Sequence, residues 1–162
     1  MTRVGNGLDV HPFGPAGDGR PLVLAGVTVP SARGLVGHSD ADVVCHAVAD
    51  ALLGAVALGD LGSRFGVDRP ATAGADSLDG LLAAVVADLA DAGWRVGNVD
   101  VTVVAQEPRL APHRAGMRAN LARVLAVDVD AVSVKATTTD RLGSLGRGEG
   151  IAAWATCLVV RG

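Results

Sequence analysis

The chain has very few aromatic side chains: its 162 residues include two phenylalanines, two tryptophans and no tyrosine. Its apolar residues are therefore mostly alanine, valine and leucine, and each of these buries less surface than an aromatic ring. A chain of this length is expected to form one domain, residues 1–162, with a sizeable core. Because its side chains are small, we expect burial between subunits to supplement that core.

Three further absences exclude classes of protein. Basic residues form no block and the formal net charge is −3, so we expect no nucleic-acid partner. No apolar run approaches the roughly 18 residues of a membrane span, and the N-terminus lacks the apolar segment of a signal peptide. We therefore expect a cytoplasmic protein with no membrane partner. Cys45 and Cys157 fit no zinc-binding spacing and are expected to be buried free thiols.

The most informative stretch runs from Gly37 to Gly62 and reads as a single amphipathic helix. Ser39 is the expected N-cap, and Asp42 three residues later completes a capping box. Alanine, valine and leucine then recur at helical spacing and predict one apolar face. Gly59 stands where a C-cap glycine is expected, just after Leu58.

Three polar residues of this stretch, Asp42, His46 and Asp50, are spaced four apart and share one side of a helix. A solvated helix face is the ordinary explanation of such a row. Asp9 and His11 form a second polar pair, and their spacing places both on one face of an N-terminal strand. A polar strand end would also explain that pair when it is taken alone.

Together, Asp9, His11 and His46 supply two imidazoles and one carboxylate. With an open fourth position, this is the ligand set of catalytic zinc sites, which manganese or cobalt also fits. Asp50 or Asp42 is then expected to orient the His46 ring as a hydrogen-bond acceptor.

The remaining periodic segments predict strands and helices that do not alternate strictly. We expect an α+β fold with a single four-stranded mixed sheet, a small hairpin, and helices packed on one face. Residues 63–74 carry turn residues throughout and are expected to form a loop that could act as a mobile lid. The predicted strands are 2–11, 22–24, 27–29, 99–103, 132–136 and 151–160, and the later predicted helices are 77–92 and about 112–125.

Two further motifs each have a plain and a functional explanation. The glycine-rich segment 143–150 lacks the Walker signature, so it is either a turn or a close approach of backbone to a ligand or a symmetry mate. Thr137–Thr139 with Asp140 suit phosphate oxygens and Mg²⁺, although threonine is also common at strand ends. No serine lies in a G-x-S-x-G elbow and no cysteine lies in a nucleophile motif, so the sequence supports no catalytic triad.

Four strings resemble one known family when they are taken together: RVGNGLDVHPF, GHSDADVVCHAVADALLGAVALGDLG, GNVDVTVVAQEPRL and VKATTTDRLGSLGRGEGIA. In order and spacing they are similar to the 2-C-methyl-D-erythritol 2,4-cyclodiphosphate synthases. The resemblance implies one cyclodiphosphate synthase domain over residues 1–162. It implies a lyase of isoprene biosynthesis by the non-mevalonate pathway, which converts 4-diphosphocytidyl-2-C-methyl-D-erythritol 2-phosphate to the 2,4-cyclodiphosphate plus CMP. It also implies a homotrimer with its sheets facing the three-fold axis and active sites between neighbouring subunits.

The same resemblance implies roles for individual residues. Zinc would lie between Asp9, His11 and His46, with manganese or cobalt as substitutes. His38 and Thr138 would be catalytic and would stabilise the transition state. The implied substrate-binding residues are Asp9, His11, His38, Ser39, Asp60, Gly62, Phe65, Ala105, Pro108, Arg109, Leu110, Ala111, Thr137, Thr138, Asp140 and Arg147.

Within that set, the resemblance implies a division of labour. His38 and Ser39 would hold phosphate, and Asp60 and Gly62 would contact the erythritol. Residues 105–111, with Thr137, would form a cytidine pocket on the adjoining subunit. Asp140 would hold a second ion, Mg²⁺ or Mn²⁺, between the phosphates, and Arg147 would lie near the trimer axis with Glu149.

The chain also departs from the family pattern. Asp140 stands where glutamate is usual and is one methylene shorter, so the second ion is expected to bind through water. Ser144 and Leu8 replace aromatic residues near the trimer cavity, where relatives would bind an isoprenoid diphosphate. Residues 65–70 differ from the usual F-P-x-x-D-P, and Arg109 stands where lysine is frequent. Two other functions stay open: a metallophosphohydrolase with the same Asp/His/His site, or a non-catalytic trimeric module that binds metal or a prenyl diphosphate.

Overall fold

The structure, a computed structural model, describes residues 1–66 and 69–162. Its centre is a four-stranded sheet in the order β1-β6-β4-β5. Strand β6 is antiparallel to both neighbours, whereas β4 and β5 are parallel. A separate two-stranded hairpin, β2 with β3, turns at Ala25 and Gly26. The strands are β1 Thr2–Pro12, β2 Leu22–Leu24, β3 Val27–Val29, β4 Trp94–Val104, β5 Val132–Thr137 and β6 Gly150–Arg161.

The helices pack on one face of this sheet, where α1 lies across β1 and β6, α3 lies on β4 and α4 lies on β5. Valines alternate along β4, and those at Val99, Val101 and Val103 point into the core. The predicted α+β fold is therefore confirmed, including the mixed sheet, the hairpin and the side on which the helices lie. The helices are α1 Val43–Ala55, α2 Leu61–Phe65, α3 Ala83–Asp91, α4 Arg114–Leu125 and α5 Gly143–Gly146, with a π-helical segment Ser77–Leu82 leading into α3 and 3-10 turns at Pro70–Thr72, Ala111–His113 and Val129–Ala131.

Helix α1 is shorter than the sequence predicted, and its caps are different. The N-cap is Asp42, whose carboxylate accepts hydrogen bonds from the backbone N–H groups of Val44 and Cys45. The prediction of Ser39 as N-cap is wrong because Ser39 faces His46 instead. At the other end the cap is Val56, and left-handed backbone at Ala57 and Gly59 turns the chain away from the helical path.

Residues 63–74 are not the continuous loop that we expected. Helix α2 ends inside this segment at Phe65, and a 3-10 turn follows at Pro70–Thr72. Asp60 caps α2 in a reciprocal capping box with Ser63, which explains why the helix begins there. Part of the expected lid and of the departure from F-P-x-x-D-P falls on Val67 and Asp68, which lie outside the described residues.

Strand β1 and helix α1 approach each other closely at two glycines. A Cβ atom added to Gly5 would collide with the carbonyl oxygen of Ala51, and one added to Gly7 would collide with that of Ala47. Only glycine fits such an approach without displacing the helix. Asp9 and His11 follow on the same face of β1, so the close packing carries both side chains toward α1.

The other face of the sheet carries large apolar side chains that the single chain leaves exposed. We call it the outer face and define it by Val4, Leu8, Val10 and Trp154, each of which is more than half exposed. Exposed apolar clusters of this kind commonly mark protein–protein contacts.

Both cysteines are free and buried, as predicted. Burial raises the pKa of the Cys157 thiol to about 11 and also raises that of Cys45. These thiols are therefore protonated and poorly nucleophilic near neutral pH. Among the described residues, no helix combines the length and apolar character needed to cross a bilayer.

Candidate metal centre

Three side chains from two elements meet where β1 passes the first turns of α1. Asp9 Oδ2 lies 3.0 Å from His46 Nδ1 and 3.0 Å from His11 Nε2. The two imidazole nitrogens are 3.2 Å apart. The predicted convergence of Asp9, His11 and His46 is therefore confirmed, although 35 residues separate the two histidines along the chain.

The spacing of these three atoms suits a divalent metal. In a tetrahedral site with metal–ligand bonds near 2.0–2.1 Å, neighbouring ligand atoms lie about 3.3 Å apart. The Asp9, His11 and His46 atoms already approach that separation without rearrangement. Within residues 1–66 and 69–162, this is the one cluster of three or more acidic, histidine or cysteine side chains with such geometry. Three protein ligands would leave a fourth position open to a substrate oxygen.

The remaining nitrogen of each imidazole has its own hydrogen-bond partner. His11 Nδ1 lies 2.8 Å from the Val36 carbonyl oxygen, which can only accept a hydrogen bond. In the neutral ring, His11 Nε2 then carries the lone pair that would bind a metal, whereas in the protonated ring it donates a hydrogen bond to Asp9. His46 Nε2 lies 2.9 Å from Ser77 Oγ and 3.1 Å from Ser39 Oγ. Such outer contacts commonly hold metal-binding imidazoles in one orientation.

The charges at the centre favour ionised Asp9. Burial opposes ionisation of this carboxyl, but the hydrogen bonds that both imidazoles donate when they are protonated outweigh burial and hold its pKa well below the usual range. The hydrogen bond to Asp9 in turn raises the pKa of His11. The centre thus offers an anionic oxygen to a cation throughout the physiological pH range.

Neither of the two aspartates expected to orient the His46 ring does so. Asp42 is fully buried and accepts hydrogen bonds from the backbone N–H groups of Ala25 and Gly26, besides capping α1. Asp50 accepts a hydrogen bond from the Leu61 N–H group at the start of α2. Helical spacing placed both residues on the same side of α1 as His46, but their carboxylate oxygens accept hydrogen bonds from backbone N–H groups instead. Burial raises the pKa of each carboxyl.

The metal cluster opens into a cavity of about 350 Å³. Its predicted substrate residues include His38, Ser39, Gly62 and Phe65. His38 Nε2 donates a hydrogen bond to the Arg69 carbonyl oxygen at 2.7 Å. Asp60 lies at the start of the neighbouring helix α2. The cavity lining comprises Asp9, His11, His38, Ser39, His46, Asp50, Leu61, Gly62, Phe65, Gly66, Thr72 and Leu81.

A second cavity, also of about 350 Å³, lies at the carboxyl ends of the parallel strands β4 and β5. It gathers all the residues expected to form the cytidine pocket except Glu107, and it shares none with the metal cavity. A single chain therefore presents two separate groups of predicted site residues. The lining comprises Ala105, Gln106, Pro108, Arg109, Leu110, Ala111, Ala136, Thr137 and Thr138.

Besides Asp60, two predicted residues lie outside both cavities. Asp140 is exposed, and one of its carboxylate oxygens lies 3.4 Å from the Thr138 hydroxyl. Arg147 is exposed and forms an ion pair with Glu149 at 2.6 Å. The chain does not bring either of them to the Asp9, His11 and His46 cluster.

Ser77 and Asp40 contribute to the centre although sequence reasoning missed both. Ser77 is fully buried and contacts His46 across 31 residues of sequence. The sequence placed Ser77 only at the start of a predicted helix, and no spacing related it to His46. Asp40 lies between His38 and Asp42, and this acidic string next to a histidine was the available signal.

Comparison with known proteins places these features in one family. Residues 2–160 match the YgbB family. The 2-C-methyl-D-erythritol 2,4-cyclodiphosphate synthase of Burkholderia thailandensis is 55% identical over 159 residues, which cover 98% of this chain and 96% of that protein.

Solved structures agree with this relationship. The bifunctional IspDF from Campylobacter jejuni has a TM-score of 0.94 at 38% identity; the match covers 100% of this chain and 43% of that longer chain. The Plasmodium falciparum IspF, solved as a CDP complex, has a TM-score of 0.85 at 29% identity over 99% of this chain and 96% of that chain.

Proposed function

Because this chain belongs to the YgbB family, we propose that it is a cyclase of the non-mevalonate isoprenoid pathway. The substrate is 4-diphosphocytidyl-2-C-methyl-D-erythritol 2-phosphate, and the products are 2-C-methyl-D-erythritol 2,4-cyclodiphosphate and CMP. The observation that carries the proposal is the convergence of Asp9, His11 and His46 beside a cavity, in a chain 55% identical to a synthase of that name.

The residues suit this reaction because its nucleophile is already an anion. An oxygen of the 2-phosphate attacks the β-phosphorus, and the bond from that phosphorus to the oxygen of the CMP leaving group breaks. No strong protein base is required; the site must align two anions that repel each other and neutralise the charge that develops. A divalent ion held by Asp9, His11 and His46 would supply a Lewis acid.

The chain's own groups would do the rest. His38 and Ser39 line the metal cavity and would bind phosphate. Thr138, with His38, would stabilise the transition state from the second cavity, whose other residues would hold cytidine. The CDP found with the Plasmodium falciparum relative supports a cytidine site. We propose zinc for the Asp/His/His site, and Mg²⁺ or Mn²⁺ near Asp140, bound through water.

We also propose that the chain acts as a homotrimer of single domains, residues 1–162, in the cytoplasm. The separation of the two cavities supports this assembly, since a neighbouring copy would supply the half of the site that one chain holds elsewhere. The outer face, with Val4, Leu8, Val10 and Trp154, is an apolar surface that the three-fold contact would bury. Arg147 would lie near the axis of that trimer.

His46→Ala tests the proposal because it removes one of the three metal ligands. We expect release of CMP to fall by about a thousandfold or more, while thermal unfolding of the metal-free protein is nearly unchanged. His113→Ala is the matched control, because His113 lies outside both cavities.

The reaction products distinguish the cyclase from the two alternative functions. Phosphorus NMR showing a hydrolysed phosphate in place of the cyclic diphosphate would indicate a metallophosphohydrolase. Tight binding of substrate with no CMP release would indicate a non-catalytic module. Normal CMP release by His46→Ala would contradict the assigned centre.

A further inference from the structure

The outer nitrogen of His46 lies against a buried hydroxyl that belongs to a different part of the chain. His46 Nε2 is 2.9 Å from Ser77 Oγ, and Ser77 begins the π-helical segment before α3. Ser77 is 0% exposed. Its hydroxyl also forms a very short contact with Asp40 Oδ1. The His46 imidazole, the Ser77 hydroxyl and the Asp40 carboxylate thus form a continuous hydrogen-bonded series behind the metal centre.

The donors and acceptors in this series can be assigned from their chemistry. A carboxylate only accepts hydrogen bonds, so the single proton of the Ser77 hydroxyl is directed to Asp40. The Ser77 oxygen is then an acceptor for the proton on His46 Nε2. With that proton on Nε2, the lone pair of Nδ1 points toward Asp9 and His11.

We propose that Ser77 and Asp40 are positioning residues that hold His46 in the tautomer required for metal binding. The proposal rests on the metal centre of the proposed function and adds two residues that act through His46. Without Ser77, the Asp9 carboxylate 3.0 Å from Nδ1 would attract the proton to that nitrogen. Metal binding would then have to displace that proton.

Asp40 is itself held firmly in place, which suits it to this role. Its Oδ2 accepts a hydrogen bond from the Ser77 N–H group at 3.0 Å, and its Oδ1 accepts one from the Asp42 N–H group at 3.1 Å. The Asp40 N–H group donates to the Ala75 carbonyl oxygen. The start of the 77–82 segment and the loop before α1 are therefore joined behind His46.

The arrangement also releases Ser39 for another task. Ser39 Oγ lies 3.1 Å from His46 Nε2 and accepts a hydrogen bond from the Ala41 N–H group. Ser77 offers His46 the nearer acceptor, so the Ser39 hydroxyl has only a long contact with Ser77 Oγ, at 3.4 Å, to compete with donation into the cavity. Ser39 can therefore donate to a phosphate oxygen while Ser77 holds the ring.

Ser77→Ala tests the proposal by removing only the hydroxyl. We expect the dissociation constant for zinc, measured by competition with a chromophoric chelator, to rise by about 10- to 100-fold. In the metal-free variant, nitrogen NMR of labelled histidine at pH 8 should show His46 moving from the Nε2–H toward the Nδ1–H tautomer.

Asp76→Ala is the matched control, because Asp76 caps the same segment through the Asp79 N–H group. It disturbs the helix start while leaving the contact between Ser77 and His46 in place, so zinc affinity should stay within about twofold of wild type. Equal losses in both variants, or an unchanged zinc affinity and tautomer in Ser77→Ala, would overturn the proposal.

If Ser77→Ala does not fold, Asp40→Asn tests the same series of hydrogen bonds, because it gives Ser77 a weaker, neutral acceptor. Zinc should then bind about three- to tenfold more weakly. Unchanged zinc affinity in that variant would also count against the proposal. The outcome is independent of the cyclase assignment: wild-type protein that binds zinc but releases no CMP would refute the reaction and leave the roles of Ser77 and Asp40 standing.

Discussion

Two aspartates lie close to His46 and serve opposite purposes. Asp42 stands one helical turn before His46, is fully buried, and accepts hydrogen bonds from four backbone N–H groups. Asp9 reaches His46 from strand β1, its side chain is 26% exposed, and its hydrogen-bond partners are the imidazoles of His11 and His46. The partners therefore distinguish the two roles: four backbone N–H groups and the Cys45 thiol hold Asp42 in the fold, whereas Asp9 faces two imidazoles that can themselves bind a cation.

The pKa directions of the two carboxyls follow the same division. Burial raises the pKa of Asp42, and its backbone partners oppose that rise. Burial also acts on Asp9, but there the two imidazoles prevail and lower the pKa. A neighbouring ionisable group thus reverses the direction that burial alone would give.

Asp9→Asn should give the largest effect of the changes that test this contrast. A neutral amide replaces the anionic ligand, so we expect CMP release to fall by about a thousandfold. The midpoint of thermal unfolding of the metal-free protein should move by no more than about 2 °C, because no backbone group loses a partner. Calorimetry beside the CMP assay checks both; a large loss of stability would remove the distinction between the two aspartates.

Asp42→Asn should have the reverse profile. The amide NH₂ would face backbone N–H groups that now donate to a carboxylate, leaving buried donors unsatisfied. We expect the free energy of unfolding, measured with urea, to fall by about 3 kcal/mol. Folded protein should retain zinc affinity near that of wild type, and zinc loss without loss of stability would contradict the structural role.

Asp88→Asn should give the smallest effect and supplies a reference for an ordinary surface carboxylate. The hydrogen bond from Arg64 lowers the pKa of Asp88 from its ordinary 3.8 in the folded state. The pair therefore stabilises the fold above that pH, and this stabilisation is lost as the pH falls through the lowered pKa. Because salt and water screen exposed pairs, the unfolding midpoint should drop by about 1 °C or less at pH 7. The drop should vanish in strong acid, and a drop that persists there would exclude the ion pair as its cause.

Much of the fold could be predicted from the sequence because its signals are local. Alternating valines marked β4, and Ala25-Gly26 marked the hairpin turn. Helix limits were harder, since Ser39 and Asp42 both satisfy the preference for an N-cap and only the tertiary structure selects between them. A helix beginning at Ser77 was predicted, but no sequence pattern indicated that its first six residues would be π-helical.

The metal cluster could be predicted because it needs only ligand type and spacing, as with Asp9, His11 and His46. Its supporting groups could not, since the contact from Ser77 to His46 depends on how two distant segments pack. The family motifs indicated both groups of substrate residues. They also implied that the cytidine residues serve an adjoining subunit, and one chain does keep the two groups in separate cavities.

Gly5 and Gly7 carry no functional group, yet they determine how close to α1 the following residues of β1 lie. A methyl group at either position would act as a wedge between strand and helix, since each glycine faces a carbonyl oxygen of α1. Lifting the strand would draw Asp9 and His11 away from His46 together. The spacing of the metal ligands therefore depends on the absence of side chains at Gly5 and Gly7. An alanine at either position would disable the centre although Asp9, His11 and His46 were all present.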